Sequence, residues 1–407
     1  MTITTVTSRK LLPTTLAVAL AGLLMVSGCT KQADEDTNAA TETQTEVANT
    51  ETADNSEMTA AEKAHIDRLI ISYANMAHAA YKDSLDTAKA LQNAVETYVA
   101  TPTQENLDSW EGQINAWPLD EALIDYVGDD YEGEYNSQEN IINSDSITVG
   151  SIKQDTSTIT PELLAEMNEI GGSEANVTTG YHAIEFMLWG QDNNGVKEGA
   201  GNRPVTDYAT EAGQCTSGET ANEDASICER RGEFLTAATQ LLVDDLTAME
   251  AQWQPDTENT LRSDLIARKY DNGLRQIMYQ MGSLALGELA SERMQVAFVT
   301  GSTEDEHECF SDLTHLSYAN NARGIQNVFN GSYTTVAGKT VGGYGIKDYL
   351  TDNGHTEAAD KLAAEFNKVE GAFNVIVEKG EKDGIKIDQM IATVGQASQE
   401  GISAEEQ

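Results

Sequence analysis

Two side chains able to do coordination chemistry sit three residues apart in the stretch Asn176 to Asp192, NVTTGYHAIEFMLWGQD. They are His182 and Glu185. Residues at i and i+3 share one face of a helix, so an imidazole and a carboxylate would project the same way, as two ligands of a metal site do. Thr178-Thr179-Gly180 offers small polar residues to cap the helix start, and Phe186 to Trp189 is an apolar run that needs burial. Spacing alone also fits a hydrogen-bonded pair with no ligand. One His-x-x-Glu among six histidines, in so acidic a chain, is close to what chance gives.

Three further segments are dense in chemically capable residues. Asn115 to Val127, NAWPLDEALIDYV, carries Asp120, Glu121 and Asp125 in an aromatic and aliphatic frame. Gly287 to Met294, GELASERM, puts Glu288 and Glu292 at i and i+4 with Arg293 beside them. Glu304 to His315, EDEHECFSDLTH, holds His307, Asp312 and His315. Most of the acids read as a solvated face. Two histidines in one short stretch point further toward a site.

The elements that must position these residues are helical. From Thr59 to Val99 apolar residues recur at helical spacing with no Pro or Gly between them, which predicts one long amphipathic helix of about 60 Å. A helix of that length needs partners along it, so a bundle is expected. Further helices are predicted over Pro161–Ile170, Glu229–Gln252, Leu261–Val299 with a break at Asp271-Asn272-Gly273, Cys309–Phe329, Glu357–Glu378 and Ile385–Ser398. Tyr333 to Val341 is the one hairpin candidate. The reading is all-α, with two helical bundles at 59–255 and 256–407 meeting near Gln254-Pro255.

The first 28 residues read as a lipoprotein signal peptide. Arg9 and Lys10 precede an apolar run, and Val26-Ser27-Gly28-Cys29 closes it with small residues before a Cys. Cleavage would leave Cys29 as the lipid-bearing first residue, and Thr30 behind it favours the outer membrane over the inner. Residues 29–58 are Thr-, Glu-, Ala- and Asp-rich without an aromatic and read as a disordered tether. The formal charge is −42; losing Arg9 and Lys10 with the signal takes it to about −44. Such a surface repels phosphate backbones, which excludes nucleic acid as a partner. Of four cysteines, Cys215 and Cys228 lie in a polar loop of an oxidising compartment and suit a disulfide. Cys309 is left over and reads first as a small buried hydrophobe and second as a thiol near the candidate functional residues.

Taken together, NAWPLDEALIDYV, TGYHAIEFMLWGQD, GNRPVTDY, ELASERM, EDEHECFSDLTH and GIQNVFNG resemble the imelysin family, nearest its iron-regulated protein A branch. The resemblance runs over about residues 60–380. It implies an all-helical protein of two bundle-like halves with Gly180, His182 and Glu185 toward a cleft between them. The family includes proteins named as metallopeptidases and components of bacterial iron uptake. The expected function is therefore a lipid-anchored envelope protein that binds iron, zinc or a metal-containing ligand in that cleft. His182, Glu185, His307 and His315 are the expected ligands, with Asp120, Glu121, Glu288, Glu292 and Arg293 behind them. Imidazole plus carboxylate suits iron or zinc, whereas carboxylates alone would suit calcium. A zinc peptidase ranks lower because the chain has no His-Glu-x-x-His. A third reading is an envelope protein-interaction module in which the His182–Glu185 pair is structural.

Overall fold

The computed structural model describes residues 58–108, 136–149, 151–172, 176–192, 199–211, 213–217, 226–268 and 270–400. The expected signal peptide, Cys29, nearly all of the tether, and the NAWPLDEALIDYV segment with Asp120 and Glu121 lie outside those residues. Helix α1 is Ala60–Ala100, opened by a capping box in which Thr59 and Glu62 exchange side-chain and backbone bonds. Burying Ile66, Leu69, Ile70, Ala77, Tyr81, Leu85, Leu91, Val95 and Tyr98 on one stripe is what holds 41 residues in a single helix.

The remaining helices follow in order. They are α2 (Asn136–Asn143), α3 (Pro161–Met167), α4 (Gly180–Trp189), α5 (Ser226–Trp253), α6 (Leu261–Ala267), α7 (Asp271–Gly282), a π-helical stretch Ser283–Gln295, α8 (Val296–Thr300), α9 (Thr314–Asn330), α10 (Ile346–Asp352), α11 (Thr356–Glu378) and α12 (Ile387–Glu400). Among the described residues two small antiparallel hairpins accompany them, β1 (Ser146–Val149) with β2 (Ile152–Asp155) and β3 (Ser332–Thr334) with β4 (Thr340–Gly342). The second is the expected hairpin, with Tyr333 opposite Val341. The first was not anticipated, because SITV and IKQD are only four residues each, too short for their pattern to stand out.

Among the described residues α1 packs most extensively on α5. Gly232 of α5 permits that approach: a Cβ there would stand 2.9 Å from Val99 Cγ1. Tyr81 stacks on Trp253 and Tyr98 meets Tyr208 along the same seam. This apolar cluster draws on α1, α2–α5 and, from far along the chain, Phe310. Two other clusters join the first turns of α1 to α6, α7, α9 and α10, and the π-helical stretch to α8, α9, α11 and α12. Helix α1 thus runs through cores on both sides of residue 255, and Glu57–Gln407 form one compact unit.

Cys215 and Cys228 form the expected disulfide, Cα atoms 5.9 Å apart. In the chain-entropy picture closing so short a loop contributes about 3 kcal/mol. Thermal melts with and without reductant test it: reduction should lower the Tm of the native protein, and the Cys215→Ser, Cys228→Ser variant should melt at the reduced temperature whether or not reductant is present.

Candidate metal centre

Helix α4 is held from both ends by neighbours rather than by its own caps. Thr179 makes no side-chain cap bond. Thr178, expected to help cap the helix, instead donates its hydroxyl to Leu164 O at 2.8 Å and its N–H to Asn168 Oδ1 at 3.0 Å. At the other end Gly190, with φ of 73°, turns the chain, and Arg203 fills the turn. Its guanidinium donates to Phe186 O at 3.1 Å and lies over the Phe186 ring, while its N–H donates to Trp189 O at 2.8 Å. Tyr208 donates its hydroxyl to Met187 O. The GNRPVTDY segment therefore acts as a clamp on α4. Arg203 meets Asp207 at 3.4 Å and Glu139 at 3.8 Å, and Arg231 grips Glu139 with two bonds of 2.7 and 2.9 Å. Burial opposes the Glu139 charge, but the Arg231 fork outweighs it and keeps that carboxyl below its usual range.

On this fixed helix His182 and Glu185 are both buried, 8% and 3% exposed. Glu185 Oε2 lies 3.1 Å from His182 Nδ1, and Oε1 accepts the backbone N–H of Ser311 at 2.9 Å. A carboxylate only accepts, so Nδ1 is the nitrogen that carries a proton toward Glu185. Ser311 belongs to the turn between α8 and α9, residues 301–313. Phe310 of that turn packs edge-on against Phe186, ring centroids 5.2 Å apart, and accepts the Gly201 N–H at 2.8 Å. The turn so anchored brings the His307 ring edge-on to His182, centroids 5.0 Å apart.

The same turn builds a second group. Glu306, Asp312 and Asp388, the last from the first turn of α12, each bring a carboxylate oxygen to within 4.8 Å of the others. All three are 3% exposed. Burial, then the Asp312 and Asp388 charges, push the Glu306 carboxyl well above its ordinary range. Asp312 is pushed up to about 7 by burial, then by Asp388 and Asp192. Asp388 is raised chiefly by burial too. Asp312 holds a positive φ of 55°, an uncommon conformation for a residue with a side chain. It is why the helix predicted from Cys309 begins only at Thr314.

The Imelysin family model matches residues 107–405, well over half of the chain. The chain belongs to the imelysin family. A crystal structure of a protein named as an iron-regulated protein A precursor, from Parabacteroides distasonis ATCC 8503, is similar at 14% identity and a TM-score of 0.46, covering 84% of this chain and 94% of that one. No curated protein matches.

This imelysin chain gathers some of the residues expected at the site and disperses others. His182, Glu185 and His307 come together. His315 is fully buried on α9 but turns to the π-helical residues 379–383 beyond α11, where its Nε2 meets Glu381 Oε1 at 2.7 Å. Arg293 is buried and donates to Asn321 Oδ1 at 2.7 Å, tying the π-helical stretch to α9, while Glu288 is half-buried and Glu292 exposed. Cys309 is half-buried against the N-terminal cluster, not fully buried as expected. Glu306 and Asp388 were not singled out from sequence. Glu306 hides in an acidic run, and Asp388 looks like an ordinary first-turn acid that favours a helix start.

A carboxyl whose folded pKa exceeds its unfolded value of about 4 binds its proton more tightly when folded. It contributes stability below the unfolded pKa and loses it as pH rises toward the folded one. For chelator-treated protein, raising the pH from 5 to 8 should therefore cost wild type more of its Tm than Asp312→Asn. Paired melts across that range check the sign.

Proposed function

We propose that this imelysin-family protein is a lipid-anchored envelope protein, outer-membrane and held through Cys29, that binds a transition metal or a metal-containing ligand and serves iron uptake or homeostasis. The observation carrying this reading is the His182–His307 pair with Glu185 behind it. Two imidazoles from segments more than a hundred residues apart meet edge to edge, and one has its tautomer set by a buried carboxylate. A histidine that ligates a metal commonly donates its other N–H to such a carboxylate, which orients the ring and raises its basicity. In this arrangement His182 and His307 are the ligands, and Glu185 positions His182. Nitrogen donors with nearby carboxylates suit iron or zinc. The high negative charge and the stretch expected to tether the folded part stand against nucleic-acid partners and fit an envelope location.

A zinc peptidase ranks below binding. Both Glu185 oxygens are already engaged, one by His182 and one by Ser311, which leaves this carboxylate poorly disposed to act as a general base on water.

Calorimetric titration of chelator-stripped protein with ferrous, ferric and zinc ions tests the assignment. His182→Ala and His307→Ala should each weaken binding by about tenfold or more, and Glu185→Gln by about 10–100-fold. Wild-type affinity in a His182→Ala, Glu185→Ala double variant would sink it, as would unchanged metal affinity accompanied only by a lower Tm.

A further inference from the structure

Beside the imidazole pair lies a group of a different chemical kind. Glu306, Asp312 and Asp388 crowd three carboxylates into a space where their oxygens lie within 4.8 Å of one another, and each side chain is 3% exposed. Glu306 Oε2, Asp312 Oδ1 and Asp388 Oδ1 are all buried and accept no hydrogen bond. Buried polar atoms in native proteins are almost always partnered, and each orphan calls for a cause. Elsewhere among the described residues the buried Glu185 carboxylate has His182 and Ser311, and the half-buried Glu139 has Arg231. The charged side chains that face the three are Glu185, Asp192 and Lys386. The single lysine is shared with Glu381, whose Oε1 stands 3.5 Å from its Nζ. The side chains that converge here are almost all acidic and the three ligand groups offer only oxygen.

The geometry points to a calcium site formed by Glu306, Asp312 and Asp388, separate from the imidazole pair, that ties the 301–313 turn to α12. An oxygen-only set excludes the nitrogen- and sulfur-preferring metals. Magnesium holds its waters and demands near-ideal octahedral geometry, whereas calcium takes irregular sets of six to eight oxygens with bidentate carboxylates. A buried trio with little access for water suits calcium. The ligands come from two segments about eighty residues apart, so the ion acts as a cross-link. Glu306 immediately precedes His307, and its fixation would set the height at which that imidazole meets His182.

The test uses the full folded chain after chelator treatment, with Ca2+, Mg2+ and Zn2+ added separately and read by thermal melting and calorimetry. Expected for Ca2+ are one saturable site and a Tm rise of about 4 °C at a hundredfold excess over Kd. Mg2+ should bind at least tenfold more weakly. Asp388→Asn should weaken Ca2+ binding at least tenfold, and Asp312→Asn, Asp388→Asn should abolish the Tm rise. In chelator this double variant should melt at or above wild type, since neutral amides relieve the repulsion. That baseline separates lost binding from lost folding. If it does not fold, the Asp388→Asn titration decides. His182→Ala should leave Ca2+ binding within twofold of wild type, so failure of the imidazole site and failure of this one are distinguishable. Absence of Ca2+ binding by wild type, preference for Zn2+ at this site, undiminished Ca2+ affinity in Asp388→Asn, or loss of Ca2+ binding in His182→Ala would each overturn the assignment.

Discussion

One buried carboxylate joins the two parts of the chain on which the site depends. Glu185 takes the His182 ring with one oxygen and the Ser311 backbone N–H with the other. The first contact lies within α4, and the second reaches across 126 positions to the turn before α9. A charged acceptor binds more strongly than a neutral one, and a buried N–H left without a partner costs about 1–3 kcal/mol. The turn is therefore fixed where His307 meets His182, and where Glu306 and Asp312 stand near Asp388. Phe310 against Phe186 adds an apolar contact at the same junction.

Rigidity of the platform comes from elsewhere. Helix α1 lies along α5 closely enough that Gly232 has no room for a side chain against Val99. Arg203 and Arg231, both buried, find partners in Glu139 and Asp207 and in backbone carbonyls of α4. Paired buried charges of this kind add little net stability, but removal of one partner is costly. Their effect is to specify the position of α4 rather than to strengthen the fold. The ligation proposed for His182 and His307 would need that positional control more than extra stability.

Two chemistries meet in the turn 301–313. In the readings proposed above, its histidine suits metals that prefer nitrogen donors and its acids suit hard cations. Adjacent positions, Glu306 and His307, face different groups. The turn is thus a junction between α4, α9 and α12, not a connector.

Helical character was legible from residue order, because the apolar spacing of α1, α5 and α11 has no other reading and Gly331 marks the end of α9. The family was legible in the joint occurrence of its segments, and the Cys215–Cys228 pair in loop composition. The exposed hairpin β1–β2 was not, since four-residue strands carry too few positions to stand out in the sequence. That His182 and Glu185 share one face of a helix followed from their spacing, a local property of that helix. Whether His307 or His315 joined them could not be read, because both lie in one short stretch and the reversal at Asp312 sends them to different partners. The grouping of Asp388 with Glu306 and Asp312 was equally hidden. Spacing along a helix is set by its pitch and is written into the sequence. Convergence of segments from about eighty to 126 residues apart depends on how whole helices pack, and only the folded chain decides it.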